Sequence, residues 1–169
     1  PLRGYNGRHE WFWEPGDDAH VFPLDDLVKM YYNSVGHNST LILGLTPDDR
    51  GLIPDTDVMR LKEWGNEIKK RFANPLAEWK ESNSNYTLLI PSNMPVSELV
   101  IQEDIQFGER VRSFIIEGLI GKKWTKITEG RCIGHKYIYV PEKPFNCKKI
   151  RLKINHSVDK PLIKSFKIY

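Results

Sequence analysis

Cysteine is scarce: two residues in 169, Cys132 and Cys147. Neither lies in a Cys-x-x-Cys or a Cys/His cluster with zinc-ligand spacing, so a disulfide-stapled miniprotein and a structural zinc site are both excluded. The pair is compatible with one bond or with two free thiols. Long apolar runs are also missing. The longest, such as Thr40–Leu43, are strand-sized, far from the roughly 18 residues that a membrane-spanning helix requires. No charged n-region and apolar stretch mark a signal peptide at the N-terminus. The chain opens on Pro1 rather than Met, and it is expected to lie inside a longer gene product. Internal repeats, low-complexity segments and runs of five basic residues are absent as well.

With 40% hydrophobic and 28% charged residues, the composition is that of one or two globular domains. The net charge of +3 is unevenly spread, at −3 over residues 1–74 and +6 over residues 75–169. The lysines of the second part are scattered through strand-like segments, as expected of solvent-facing residues and edge blockers. Aromatics stand near lysines at Tyr137, Tyr139 and Phe145, but no RNA- or DNA-binding signature accompanies them, so no nucleic-acid partner and no membrane partner is expected.

The pattern changes near residue 74. Leu24, Leu27, Val28, Tyr31, Tyr32 and Val35 recur at helical spacing after Pro23, with Asp25 and Asp26 in the first turn and Gly36 placed as a C-cap. Ser39–Leu45 is continuous, apolar and short, which predicts a strand buried on both faces. Thr46–Gly51 reads as a turn. Val58, Leu61, Trp64, Ile68 and Phe72 then predict a second helix, capped by Asp55 or Thr56 and closed by Lys69, Lys70 and Arg71. A helix, a buried strand and a second helix predict the last βα stretch of an α/β sheet or barrel, whose remaining strands lie upstream or on another chain. Pro75 bars helix continuation. Beyond it about eight short strands are predicted, including 86–90, 98–103, 112–118, 124–129, 137–140, 149–154 and 162–169. This spacing suits an antiparallel β-sandwich.

The densest concentration of chemistry is His9–Asp18, with three aromatics, four carboxylates and a histidine in ten residues. Tryptophan beside carboxylate suits a sugar site. An indole stacks on the C–H face of a pyranose and desolvates a neighbouring carboxyl, which favours the protonated form needed by a general acid. The competing reading is an ordinary loop with solvated acids. His37, just after the first helix, could line the same face. His20, His135 and His156 carry no ligand spacing, and no GxSxG, GxGxxG, P-loop or HExxH is present. Ile101–Ile105, Gly108–Val111 and Ile133–Lys136 combine carboxylates and basic residues in a way that fixes loops in a sandwich.

Trp11–Trp13, Leu24–Tyr32, Ser34–Ser39, Leu41–Leu45 and Pro47–Ile53, followed by the β-rich segment, resemble in order and type the family 29 glycoside hydrolases, the α-L-fucosidases. The resemblance implies that residues 1–74 end a (β/α)8-like catalytic barrel and that residues 75–169 form a discoidin-like β-sandwich. It implies retaining, exo-acting hydrolysis of terminal α-L-fucosides without a cofactor or metal. An aspartate nucleophile forms a fucosyl-enzyme, and a glutamate acts as acid and then base. No nucleophile motif of the family occurs here, so that group is expected in an N-terminal barrel part of the same enzyme, and the isolated chain is expected to be inactive. Glu14 is the first choice for the acid/base and Glu10 the second, with a residue upstream of Pro1 as a third. Trp11, Trp13 and His9 are expected to bind fucose. Gly44 departs from the asparagine that many relatives carry after the buried strand. The implied partner is a fucosylated oligosaccharide or glycoconjugate, and the implied location is secreted or periplasmic, or lysosome-like in a eukaryote. The alternative is a non-catalytic carbohydrate-binding sandwich with a helical leader.

Overall fold

A computed structural model describes residues 1–7, 11–80, 85–92 and 94–169. The chain divides into two compact units, one of residues 1–33 and 40–73, the other of residues 34–39 and 74–169.

The first unit holds α1 (Leu24–Ser34) and α2 (Asp55–Arg71), preceded by short 3-10 turns at Tyr5–Gly7 and Asp17–His20. Both helices carry aspartates in the first turn, and α2 ends on Lys69, Lys70 and Arg71, so each end matches the helix dipole. The α2 N-cap is Pro54, with no side-chain cap, rather than Asp55 or Thr56. Pro54 holds an extended backbone (ψ 144°), and its carbonyl accepts from Asp57 and Val58. This frees the Thr56 hydroxyl to donate to Asp18 at 2.9 Å. Leu2, Val21 and Leu27 form a small core, against which Phe22, Met30, Leu43, Leu61 and Trp64 pack.

Two expectations for this region need correction. Gly36 is buried and does not take a left-handed C-cap conformation; the positive φ falls on Asn38, at 60°. Ser39–Leu45 is no strand in this structure, nor is it buried on both faces: Ile42 is 88% exposed and Leu45 39%. A strand exists by virtue of its neighbours, and here the Leu2 amide bond to the Gly44 carbonyl (2.8 Å) is the one backbone hydrogen bond described for residues 40–45.

The second unit contains β1 (Ala77–Glu78), β2 (Thr87–Leu89), β3 (Leu99–Glu103), β4 (Val111–Ile120), β5 (Lys123–Gly130), β6 (Tyr137–Tyr139), β7 (Lys149–Ser157) and β8 (Ile163–Ile168). They pair antiparallel in two four-stranded sheets, in the orders β1-β8-β3-β6 and β2-β7-β4-β5. Alternation along the strands sends Leu99, Ile101, Phe166 and Ile168 from one sheet, and Leu88, Phe114, Ile116, Ile150 and Leu152 from the other, into one shared core. The β4–β5 hairpin turns through the two residues Gly121-Lys122 with Gly121 at φ 63°, the conformation that a tight hairpin demands.

Polar groups lock the sandwich at two points. Glu103 is buried, and its Oε1 accepts from the amides of Arg110 (2.9 Å) and Val111 (3.1 Å) while Oε2 accepts from the Gly134 amide (2.9 Å). The expected loop-fixing carboxylate is therefore Glu103, acting on main chain rather than on an arginine head. Asn38 is the second point. Its Oδ1 accepts from the His135 amide at 2.7 Å, and its Nδ2 donates to Glu109 at 2.6 Å. A Cβ on Gly134, whose φ is 56°, would run into the Asn38 side chain, so glycine is required there.

Both cysteines are free and half-buried. Burial pushes the Cys147 thiol up to about 11. Burial likewise raises Tyr86, Tyr139 and Tyr169, with nearby negative charge adding to the effect at Tyr139 and Tyr169. Each group is an acid whose folded form holds its proton longer than the unfolded form. Stability linked to them is therefore present below the unfolded values of 9.0 and 10.0 and is lost as pH rises through the folded ones. Thermal unfolding followed from pH 8 to pH 11 is expected to show a falling midpoint above about pH 9. At pH 8, iodoacetamide should modify Cys147 roughly a hundredfold more slowly in the folded chain than in the unfolded one. A midpoint flat across that range, or equal alkylation rates, would contradict this assignment.

Candidate active site

The aromatic and acidic loop is built on a buried ionic base. The segment Leu2-Arg3 is stitched on one side to Gly44 and on the other to Phe22, whose amide donates to the Leu2 carbonyl at 3.0 Å. This carries Arg3 inside, where it is 1% exposed and meets Asp57, itself 0% exposed, at 2.7 Å. The same guanidinium reaches Asp18 at 3.1 Å and the Thr56 hydroxyl at 3.0 Å. Burial opposes the charge, but the bonds to Asp57 and Asp18 overcome it and hold the Arg3 pKa above its ordinary value. A buried pair of this kind strongly destabilises a fold when one partner is removed. It ties the 3-10 turn at Asp17–His20 to the start of α2.

On this base, Pro15-Gly16 bends the chain, with Gly16 at φ 88°. Asp17 is buried and closes the turn in both directions. Its carboxylate accepts from the Glu14 amide at 3.2 Å, and its own amide donates to the Glu14 carbonyl at 3.3 Å. Glu14 is thus held by main chain at the lip of the loop, with its side chain exposed. Trp13 is half-buried, whereas Trp11 and Phe12 are 79% and 82% exposed.

Glu14, Trp11 and Trp13 therefore share one loop, two of its three aromatics standing in the open. His9 and Glu10 lie outside the described residues. His37 packs edge-on against Tyr137, with ring centroids 6.1 Å apart, and belongs to the sandwich unit instead of the loop. Among the described residues no group of three or more His, Cys, Asp or Glu could hold a metal ion, and no helix is long and apolar enough to cross a membrane. Sequence reasoning counted Asp17 and Asp18 among the loop acids without separating their roles. It missed Arg3 and Asp57 altogether, because no local spacing links residues 54 positions apart.

An acid on a loop beside one open and one half-buried indole is an arrangement that suits a sugar. No family model matches the chain. Individual proteins do. A rice (Oryza sativa subsp. japonica) protein assigned as α-L-fucosidase 1 is 30% identical, over 96% of this chain and 38% of its own length. A crystal structure from Bacteroides thetaiotaomicron, of a protein assigned as an α-L-fucosidase, is 45% identical with a TM-score of 0.92, covering 100% of this chain and 39% of that one. A glycoside hydrolase 29 family member from an unknown rumen bacterium is 28% identical with a TM-score of 0.74, covering 94% of this chain and 30% of that one. These likenesses place the chain with the α-L-fucosidases of glycoside hydrolase family 29. It spans about two fifths of the length of the curated relatives it matches.

Proposed function

We propose that this chain is the C-terminal portion of a retaining, exo-acting α-L-fucosidase. Residues 1–74 complete a (β/α)8-like barrel, and residues 75–169 are a discoidin-like sandwich attached to it. The observation that carries the reading is the segment Thr40–Leu45. Its composition is that of a central strand, yet Ile42 and Leu45 are exposed and, among the described residues, its one backbone bond is that from the Leu2 amide to the Gly44 carbonyl. Exposed apolar residues on a segment with so few described backbone bonds suit a strand awaiting its neighbours.

In this reading Glu14 is the general acid/base, Glu10 being the second choice, and it acts from the lip of the loop near the carboxyl ends of the barrel strands. Trp11 and Trp13 cover the C–H face of the fucosyl ring around its C6 methyl, and His9 hydrogen-bonds a ring hydroxyl. The protonated Glu14 carboxyl gives its proton to the glycosidic oxygen as the anomeric bond breaks. A carboxylate from the upstream part attacks the anomeric carbon and forms the fucosyl-enzyme. Glu14, now ionised, takes a proton from water as water displaces that carboxylate. The two carboxyls must stand about 5–5.5 Å apart. Neither a cofactor nor a metal takes part in this chemistry. The partners are a terminal α-L-fucosyl residue on a glycan and the N-terminal barrel part. An enzyme of this kind meets its substrate in a secreted, periplasmic or lysosome-like setting.

Proton NMR of the intact protein acting on an aryl α-L-fucoside tests the reading. The first fucose released is expected to be the α-anomer, and β-fucose released first would overturn the retaining assignment. The sandwich closes its own core, which keeps a second reading in view: a carbohydrate-binding module without catalysis.

A further inference from the structure

The sandwich carries a cavity that the reading above does not use. It occupies about 510 Å³ at one end of the β2-β7-β4-β5 sheet, where Leu89, Met94, Leu119, Asn146, Lys148 and Lys149 line it. Its frame is backbone. Lys148 donates its amide to the Leu119 carbonyl at 3.0 Å and accepts from the Ile90 amide at 3.1 Å, so the segment before β7 is strapped between β2 and β4. Leu89 stands opposite Lys149 across the β2–β7 pair, which fixes an apolar and a cationic side chain in one register.

The lining holds no carboxylate. Gly121, also in the lining, begins the hairpin turn, and Lys122 and Lys123 follow it in the chain. None of Lys122, Lys123, Lys148 and Lys149 forms an ion pair among the described residues. Glu117, the carboxylate on β4, is taken by Arg151 at 2.6 Å. Leu89 and Met94, 72% and 46% exposed, give the cavity an open apolar wall. Trp124 stands directly across from Leu119 on the neighbouring strand, with one indole face already covered by the Arg151 guanidinium at 4.0 Å. Two lining lysines, Lys148 and Lys149, without an ion pair among the described residues and beside an apolar wall, attract an anion that also has an apolar face.

We propose that this cavity binds an acidic saccharide. A carboxylate or sulfate meets Lys148 and Lys149, Asn146 hydrogen-bonds a hydroxyl, and the C–H face or an acetyl methyl lies on Leu89 and Met94. The choice of a saccharide over other anions rests on the glycan-directed function proposed above.

Calorimetric titration of the chain with a sulfated hexasaccharide, a polyuronate hexasaccharide and a neutral hexasaccharide tests the site, with anionic phospholipid vesicles as a fourth ligand. Saturable binding of one or both acidic hexasaccharides is expected, telling sulfate from carboxylate, with none of the neutral one. The double variant K148E/K149E should weaken that binding by on the order of tenfold or more. K160E/K164E, on lysines outside the cavity, should leave it within about twofold. Equal loss in both double variants, preference for the vesicles, or no binding of either acidic hexasaccharide would overturn the proposal. Hydrolysis of a small aryl fucoside by the intact protein is read separately and is expected to be the same in K148E/K149E, so a failed site and a failed enzyme assignment are told apart.

Discussion

Glu14→Gln in the intact protein is expected to lower hydrolysis of α-L-fucosides with poor leaving groups by about 10²–10⁴-fold. The glutamine keeps the size of the side chain and the backbone bonds to Asp17, which run through the Glu14 amide and carbonyl. What it loses is the transferable proton. An activated aryl fucoside departs with little protonation, so formation of the fucosyl-enzyme should be nearly unaffected and its breakdown should limit turnover. Added azide needs no general base and is expected to restore turnover on the activated substrate by displacing the enzyme carboxylate from the fucosyl-enzyme, giving an α-fucosyl azide. Glu10→Gln serves as the comparison. Equal small losses on both substrate types for Glu14→Gln, with the large and rescuable loss in Glu10→Gln, would move the assignment to Glu10.

The second large effect is expected in the sandwich. Glu103→Ala removes one side chain and leaves the amides of Arg110, Val111 and Gly134 without their acceptor. Each buried amide left unpaired costs about 1–3 kcal/mol, partly relieved by water entering the space, so a loss of about 3–5 kcal/mol is expected. That is a large share of the stability of an ordinary domain, about 5–15 kcal/mol. Glu103→Gln should recover part of it, since its amide oxygen serves one side of the clamp while its NH2 faces a donor on the other. Urea unfolding followed by fluorescence of Trp79 and Trp124 provides the measurement. A loss under about 1 kcal/mol for Glu103→Ala would mean that the clamp is replaced by solvent without strain.

The regular elements were legible because their signals are periodic. Leu24, Leu27, Val28 and Tyr31 marked α1, Val58–Phe72 marked α2 and ended within a residue of its observed end, and alternation in Ile150–Ile154 marked β7. β1 escaped because a two-residue ladder, Ala77 with Ile168 and Glu78 with Lys167, carries no period to detect. Ser39–Leu45 shows the opposite failure. Its apolar run reads as a strand, yet it joins neither sheet among the described residues. At the candidate site, the composition of the Trp11–Asp18 loop pointed to sugar chemistry. Its support could not be read, because the Arg3–Asp57 pair joins distant parts of the chain through burial. The same holds for Asn38, whose left-handed backbone and contacts to His135 and Glu109 come from the sandwich rather than from the helix that precedes it.

Hydrolysis of 4-nitrophenyl α-L-fucoside by the intact protein, with this chain alone assayed beside it, bears most directly on the central claim. The account predicts turnover by the intact protein and none by the chain alone, because it assigns the acid/base loop to this chain and the nucleophile to a part upstream of it. Turnover by the chain alone, or an intact protein that leaves every α-L-fucoside untouched while cleaving another glycoside, would contradict it.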